Sequence, residues 1–83
     1  MHPMSVTVLL FASYADALGA PSLTVDLPAG ATVADVLSAV RGRPGAERLP
    51  PRPLVAVNQR YASPTSPVGP GDEVALIPPV AGG

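Results

Sequence analysis

The amino-acid sequence predicts an α+β domain: a mixed sheet of four to five strands with one main helix packed on one face. Three observations carry that expectation. Four short runs have strand character, at residues 6–11, Ser22–Leu27, Leu54–Val57 and Glu73–Ile77, and are rich in valine and leucine. A single helix-period stripe, Val33, Val36, Leu37 and Val40, falls between the second and the third. Glycine and proline mark the junctions, with 8 Gly and 12 Pro in 83 residues. A chain of this length is expected to hold one domain, residues 1–83 with a flexible C-terminal tail at 78–83, whose core only just outweighs chain entropy.

Residues 1–4 read as a loose leader, and the lone His2 has no neighbouring ligand or carboxylate to give it a role. Val6-Thr7-Val8-Leu9-Leu10-Phe11 is apolar at both parities, which predicts a central strand covered on both faces. A polar break is expected over 13–21. Ser22-Leu23-Thr24-Val25-Asp26-Leu27 then alternates strictly, so Leu23, Val25 and Leu27 share one face of a half-exposed strand. Pro28-Ala29-Gly30 ends it, and Thr32 followed by Asp35 approximates a capping box for the helix, which Gly42 and Pro44-Gly45 terminate. Proline and arginine over 43–53 predict an irregular connection. Leu54–Val57 is the next strand, Asn58-Gln59 suits a tight turn because Asn tolerates positive φ, and Arg60-Tyr61 starts a brief returning strand. A proline-punctuated loop over 63–71 leads to the last strand, Glu73–Ile77.

Composition removes several classes of function. Cysteine is absent, which excludes disulfides, thiolate nucleophiles and Cys-based metal sites. The longest apolar stretch, 8–12, is far below the roughly 18 residues a membrane span needs, so a soluble, cytoplasmic protein without membrane contact is expected. A net charge of −1 argues against nucleic acid. All five basic residues are arginines between Arg41 and Arg60, with no aromatic residues interleaved to stack bases. Without lysine, the chain offers no side-chain amine for an isopeptide bond to itself.

The end of the chain is the part that reads as functional. Pro78 and Pro79 lack N–H groups and fix φ near −65°, so the last strand cannot extend as a ladder and the chain is expected to leave in an extended path. Val80 and Ala81 supply small apolar contacts, while Gly82 and Gly83 lack Cβ atoms and fit a slot closed to other residues. The six residues 78–83, at about 3.3 Å each, give a reach on the order of 20 Å.

Several strings, in order along the chain, carry a resemblance: Val8-Leu9-Leu10-Phe11-Ala12, Thr32-Val33-Ala34-Asp35, Val55-Ala56-Val57-Asn58-Gln59, Gly71-Asp72-Glu73-Val74-Ala75 and Pro78-Pro79-Val80-Ala81-Gly82-Gly83. The sequence resembles the ubiquitin-like β-grasp sulfur carriers of the MoaD/ThiS family, most closely the MoaD branch that serves molybdopterin synthase. The resemblance implies a β-grasp fold and a non-catalytic carrier. It implies that a MoeB-like enzyme uses ATP to adenylate Gly83, that a sulfur donor protein converts it to a thiocarboxylate, and that no cofactor is bound by the chain itself. It further implies a MoaE-like large synthase subunit, in which the sulfur passes to cyclic pyranopterin monophosphate. Phe11, Ile77, Pro79, Val80, Ala81 and Gly82 would make the binding contacts. Many relatives carry an arginine and a glutamate where this chain has Ala15-Asp16, so an arginine-mediated partner contact is missing or relocated.

Three alternatives stay open at the level of sequence. The carrier could serve thiamine synthesis, tRNA thiolation or cysteine formation, or the chain could be a ubiquitin-like protein modifier, or an interaction module with an inert tail. For Phe11 and Ile77, burial in the core is as acceptable a reading as an interface role.

Overall fold

Alternating apolar residues in five short segments settle into one twisted layer, because only pairing satisfies their backbone groups and only a helical cover buries one of their faces. The computed structural model describes residues 4–78. Its elements are β1 (Met4–Leu10), α1 (Ala12–Leu18), β2 (Ser22–Leu27), α2 (Val33–Arg41), a 3₁₀ turn (Ala46–Arg48), β3 (Leu54–Val57), β4 (Arg60–Ala62) and β5 (Glu73–Ile77). The strands lie in the order β2-β1-β5-β3-β4. The β1–β5 pair is parallel and the other three are antiparallel.

Register places the core. Leu23, Val8, Val74 and Val57 line up across four strands, and Leu10, Leu76, Val55 and Ala62 form the adjacent row. Val33, Val36 and Val40 of α2 are buried against these rows and belong to the same apolar cluster. The start of α2 is set by Asp35, whose Oδ2 accepts from the Thr32 backbone N–H at 2.8 Å and from its hydroxyl at 3.2 Å. Gly42 closes the helix, as its sequence position suggests.

The β3–β4 hairpin turns through Asn58 and Gln59 at φ 49° and 72°, the paired positive angles that match the twist of the flanking strands. Asn58 is more than tolerant of that angle. Its backbone N–H donates to the Glu73 carbonyl at 2.8 Å, its side-chain oxygen accepts from the Glu73 N–H at 3.0 Å, and its amide nitrogen donates to Asp72 Oδ1 at 3.0 Å. The second oxygen of Asp72 accepts from the Gly69 N–H at 2.7 Å. One turn is thereby tied to the entry of β5.

Two expectations are corrected. Residues 13–21 are not merely a polar break, since α1 occupies Ala12–Leu18. Its N-cap residue is Phe11, with no capping side chain, so the usual start signal is missing; what holds it is the Tyr14, Ala15 and Leu18 stripe packed on the core and a left-handed Gly19 closing its end. Nor is β1 covered on both faces. Ser5 and Thr7 are exposed and Leu9 is half-buried, because the apolar cover is laid on one side of the sheet only. The apolar residues on the uncovered side therefore need another explanation.

Gly45 explains how α1 is held. It sits at φ 93°, and a Cβ added there would lie 1.8 Å from the Ala17 carbonyl oxygen, so the backbone after α2 presses directly on α1. Gly19 has a similar φ of 75° but open space around it. Gly45→Ala is expected to destabilise the fold by clearly more than Gly19→Ala, which carries only the left-handed penalty of about 1–2 kcal/mol. Equal shifts in urea midpoint for the two variants would show that this approach is not a constraint.

Candidate functional site

On the uncovered face, the same register that builds the core assembles a second apolar surface. Leu9, Ala75, Ala56 and Tyr61 form a row across β1, β5, β3 and β4, with Ile77 opposite Leu54 in the next row. Phe11, one step past the end of β1, continues the outward parity of Leu9. Two of the central positions are alanines, so the middle of the row is low. Leu9, Phe11, Tyr61 and Ile77 stand around it and enclose a hollow of about 420 Å³, rimmed by Gln59 and Glu73. Phe11 and Leu54 are each 48% exposed and Tyr61 is 75% exposed, a concentration of large apolar side chains that a soluble face does not require.

The patch has a sharp limit. Toward β2 the same face becomes polar: Thr7 lies opposite Thr24, and the Ser5 hydroxyl donates to Asp26 Oδ1 at 2.8 Å. The apolar half is thus confined to the end of the sheet where β5 finishes. That strand ends at Ile77, immediately before Pro78, as the missing proline N–H requires. Ile77 and Pro78 are both partly buried, so the chain departs from a fixed point at the margin of the hollow.

Of the expected site residues, Phe11 and Ile77 are brought together on this surface, and neither belongs to the buried core. Pro79, Val80, Ala81, Gly82 and Gly83 lie outside the described residues. Sequence reasoning missed Leu54 and Tyr61. Parity was the available signal, because Leu54 precedes the inward Val55 and Tyr61 pairs with the outward Ala56. Tyr14 was missed as well. It lines a smaller hollow with Arg52, Leu54 and Ile77 below the point of departure. Its hydroxyl is buried without a partner among the described residues, and burial pushes the phenol up from its ordinary value, leaving it neutral at physiological pH.

Chemically, the lining is mostly apolar, with Gln59, Tyr61 and Glu73 as its polar members. Among the described residues no group of His, Asp and Glu is arranged to hold a metal ion, and no helix is long and apolar enough to cross a membrane. Asp72, at the foot of β5, is held below the usual carboxylate range first by the Asn58 side-chain hydrogen bond and then by the Gly69 N–H.

Comparison with known proteins gives one consistent picture. A family model described as the ThiS family matches residues 8–83. The molybdopterin synthase sulfur carrier subunit of Arabidopsis thaliana is 35% identical over 81 residues, 96% of this chain and 84% of that protein. The crystal structure of SAMP1 from Haloferax volcanii superimposes with a TM-score of 0.85 and 35% identity, over 95% of this chain and 99% of that one. A crystal structure of Haloferax volcanii small archaeal modifier protein 1 gives 0.83 and 31%, over 93% and 99%.

The depressed Asp72 pKa has a signed consequence. A carboxyl lowered in the folded state contributes stability above its unfolded value, about 3.9, and that contribution is lost as pH falls through the folded value. Asn58→Ala removes the larger cause, so the Asp72 carboxyl carbon, followed by NMR titration, should move its midpoint upward in the variant. An unchanged midpoint would mean that the Asn58 contact is not what lowers it.

Proposed function

The chain belongs to the ThiS family, and from that membership we propose that it is the sulfur-carrying small subunit of a molybdopterin synthase. The observation that carries the reading is the placement of an exposed apolar hollow at the point where β5 gives way to Pro78. A partner that covers the hollow receives the residues that follow. The arm 78–83 then enters the partner's pocket, and Gly83 supplies the reacting carbon.

The chemistry explains why an arm is needed. A C-terminal carboxylate, with a pKa near 3.5, is ionised and resists nucleophilic attack at neutral pH. An ATP-dependent, MoeB-like enzyme overcomes this: a Gly83 carboxylate oxygen attacks the α-phosphorus of ATP, pyrophosphate leaves, and a mixed anhydride forms. Sulfide-level sulfur from a donor protein then attacks the acyl carbon and AMP leaves, giving the thiocarboxylate. In a MoaE-like large subunit that sulfur is transferred to cyclic pyranopterin monophosphate. Gly82 and Gly83 minimise crowding around each attack, while Phe11, Ile77, Pro79, Val80 and Ala81 make the contacts that hold the arm. The chain is a carried substrate of this cytoplasmic system and needs no cofactor of its own.

A second reading is favoured by the likeness to small archaeal modifier protein 1. In it the adenylated Gly83 forms isopeptide bonds with lysines of other proteins. This chain has no lysine to receive such a bond. The two products differ in mass and position. Protein isolated from its host should carry a C-terminal thiocarboxylate, about 16 Da heavier than the acid; branched Gly-Gly adducts on other proteins, with no thiocarboxylate, would favour the modifier.

Deletion of Gly83 is expected to abolish molybdopterin formation in a reconstituted synthase, with a melting temperature close to that of the parent. Phe11→Ser should weaken binding of the large subunit at least tenfold, about 1.4 kcal/mol, as expected for an apolar anchor. Retained activity after the deletion, or unchanged affinity for Phe11→Ser, would overturn the reading.

A further inference from the structure

A second concave surface lies on the other side of the molecule, and the proposed sulfur chemistry makes no use of it. The helix α2 has two stripes. Val33, Val36 and Val40 are buried in the core, whereas Ala34, Leu37, Ser38 and Arg41 line a groove of about 550 Å³ whose opposite wall is built from residues of the 51–55 segment, with Ala62 and Pro64. The groove lies at the β4 edge of the sheet. That strand has only three residues, and the loop after it is tied to the start of α2, where the Val33 and Ala34 N–H groups donate to the Ser66 and Pro64 carbonyls.

The lining is aliphatic and proline-rich, with Leu37 and Val55 among its walls and two guanidinium groups, Arg41 and Arg52, at its border. Among the described residues no carboxylate lines it. Arg41 is oriented by donating to the Pro50 carbonyl, which fixes a cation at one edge. Arg52 and Pro53 also line the hollow beside Ile77, so the two concavities share one wall.

We propose that this groove is a docking site for an acidic, aliphatic peptide segment of a protein partner. Apolar walls favour branched or short aliphatic side chains, and the two border guanidinium groups, which no carboxylate pairs with among the described residues, favour Asp or Glu. A nucleic acid is disfavoured because the groove has no aromatic side chain on which a base could stack. A segment bound here leaves the open sheet face free, so one partner can hold the domain by α2 while another receives the arm.

The test is selection of peptides from a random heptapeptide display library on the full chain, followed by NMR mapping of the winners on labelled protein. Selected peptides should combine Asp or Glu with Leu, Ile or Val, and should shift the amides of Leu37, Ser38, Arg41 and Ala62. Arg52→Glu should reduce their affinity about two- to fivefold, the scale of an exposed ion pair. Ser38→Glu, which leaves both arginines in place, should do the same with the fold intact by circular dichroism. Four outcomes would overturn the proposal: no selected binder, selected peptides without acidic residues, shifts confined to Leu9, Phe11 and Ala75, or enrichment matched by single-stranded RNA offered to the same surface.

Discussion

The structure depends on the position of one strand. β5, the last element, is inserted between β1 and β3, parallel to the first and antiparallel to the second. Its inward residues, Val74 and Leu76, are fully buried and complete both core rows. Its outward residues, Ala75 and Ile77, form the middle of the exposed patch. A strand held on both edges is costly to displace, since its hydrogen-bonded ladders and its apolar face would be lost together. Pro78, which follows, is therefore joined to the most constrained part of the sheet.

That arrangement also explains the asymmetry of the uncovered face. A two-layer domain leaves one sheet face to solvent, and on the β2 side this chain answers with Ser5, Thr7, Thr24 and Asp26. The β2 edge is guarded in addition, for Arg43 donates to the Thr24 carbonyl at 2.9 Å and occupies an acceptor open to strand addition. Past Glu73, the outward positions around β5 are apolar. Leu9 is half-buried, and Phe11, Leu54 and Tyr61 stay exposed where the molybdopterin synthase reading needs a partner to sit.

Much of this was legible in the residues. Strand and turn positions followed from alternation and from the Gly, Pro and Asn punctuation, and α2 from its Thr32 and Asp35 start and its valine stripe. The helix α1 was not, because it begins at a capless Phe11 and is held by the approach of Gly45, a contact separated from it by almost thirty residues of chain. The two-sided apolarity of β1 was misread as double coverage for a related reason. Periodicity reports that a residue avoids water, and it is silent on whether a helix or a partner does the covering. Leu9 and Phe11 lie on the face that no helix covers among the described residues. Sequence did point to Phe11 and Ile77 as surface contacts, yet only cross-strand register could add Leu54 and Tyr61 to them.

On the proposed function, the large synthase subunit covers the sheet face beside Ile77. Cross-saturation NMR of the methyl-labelled chain in complex with an unlabelled large subunit tests it directly. Strong transfer is expected to the methyls of Leu9, Leu54, Ala56, Ala75 and Ile77, and little to Val6, Val36 or Leu76. Transfer concentrated on the Leu37 and Ala62 methyls beside α2, with the sheet face silent, would contradict it.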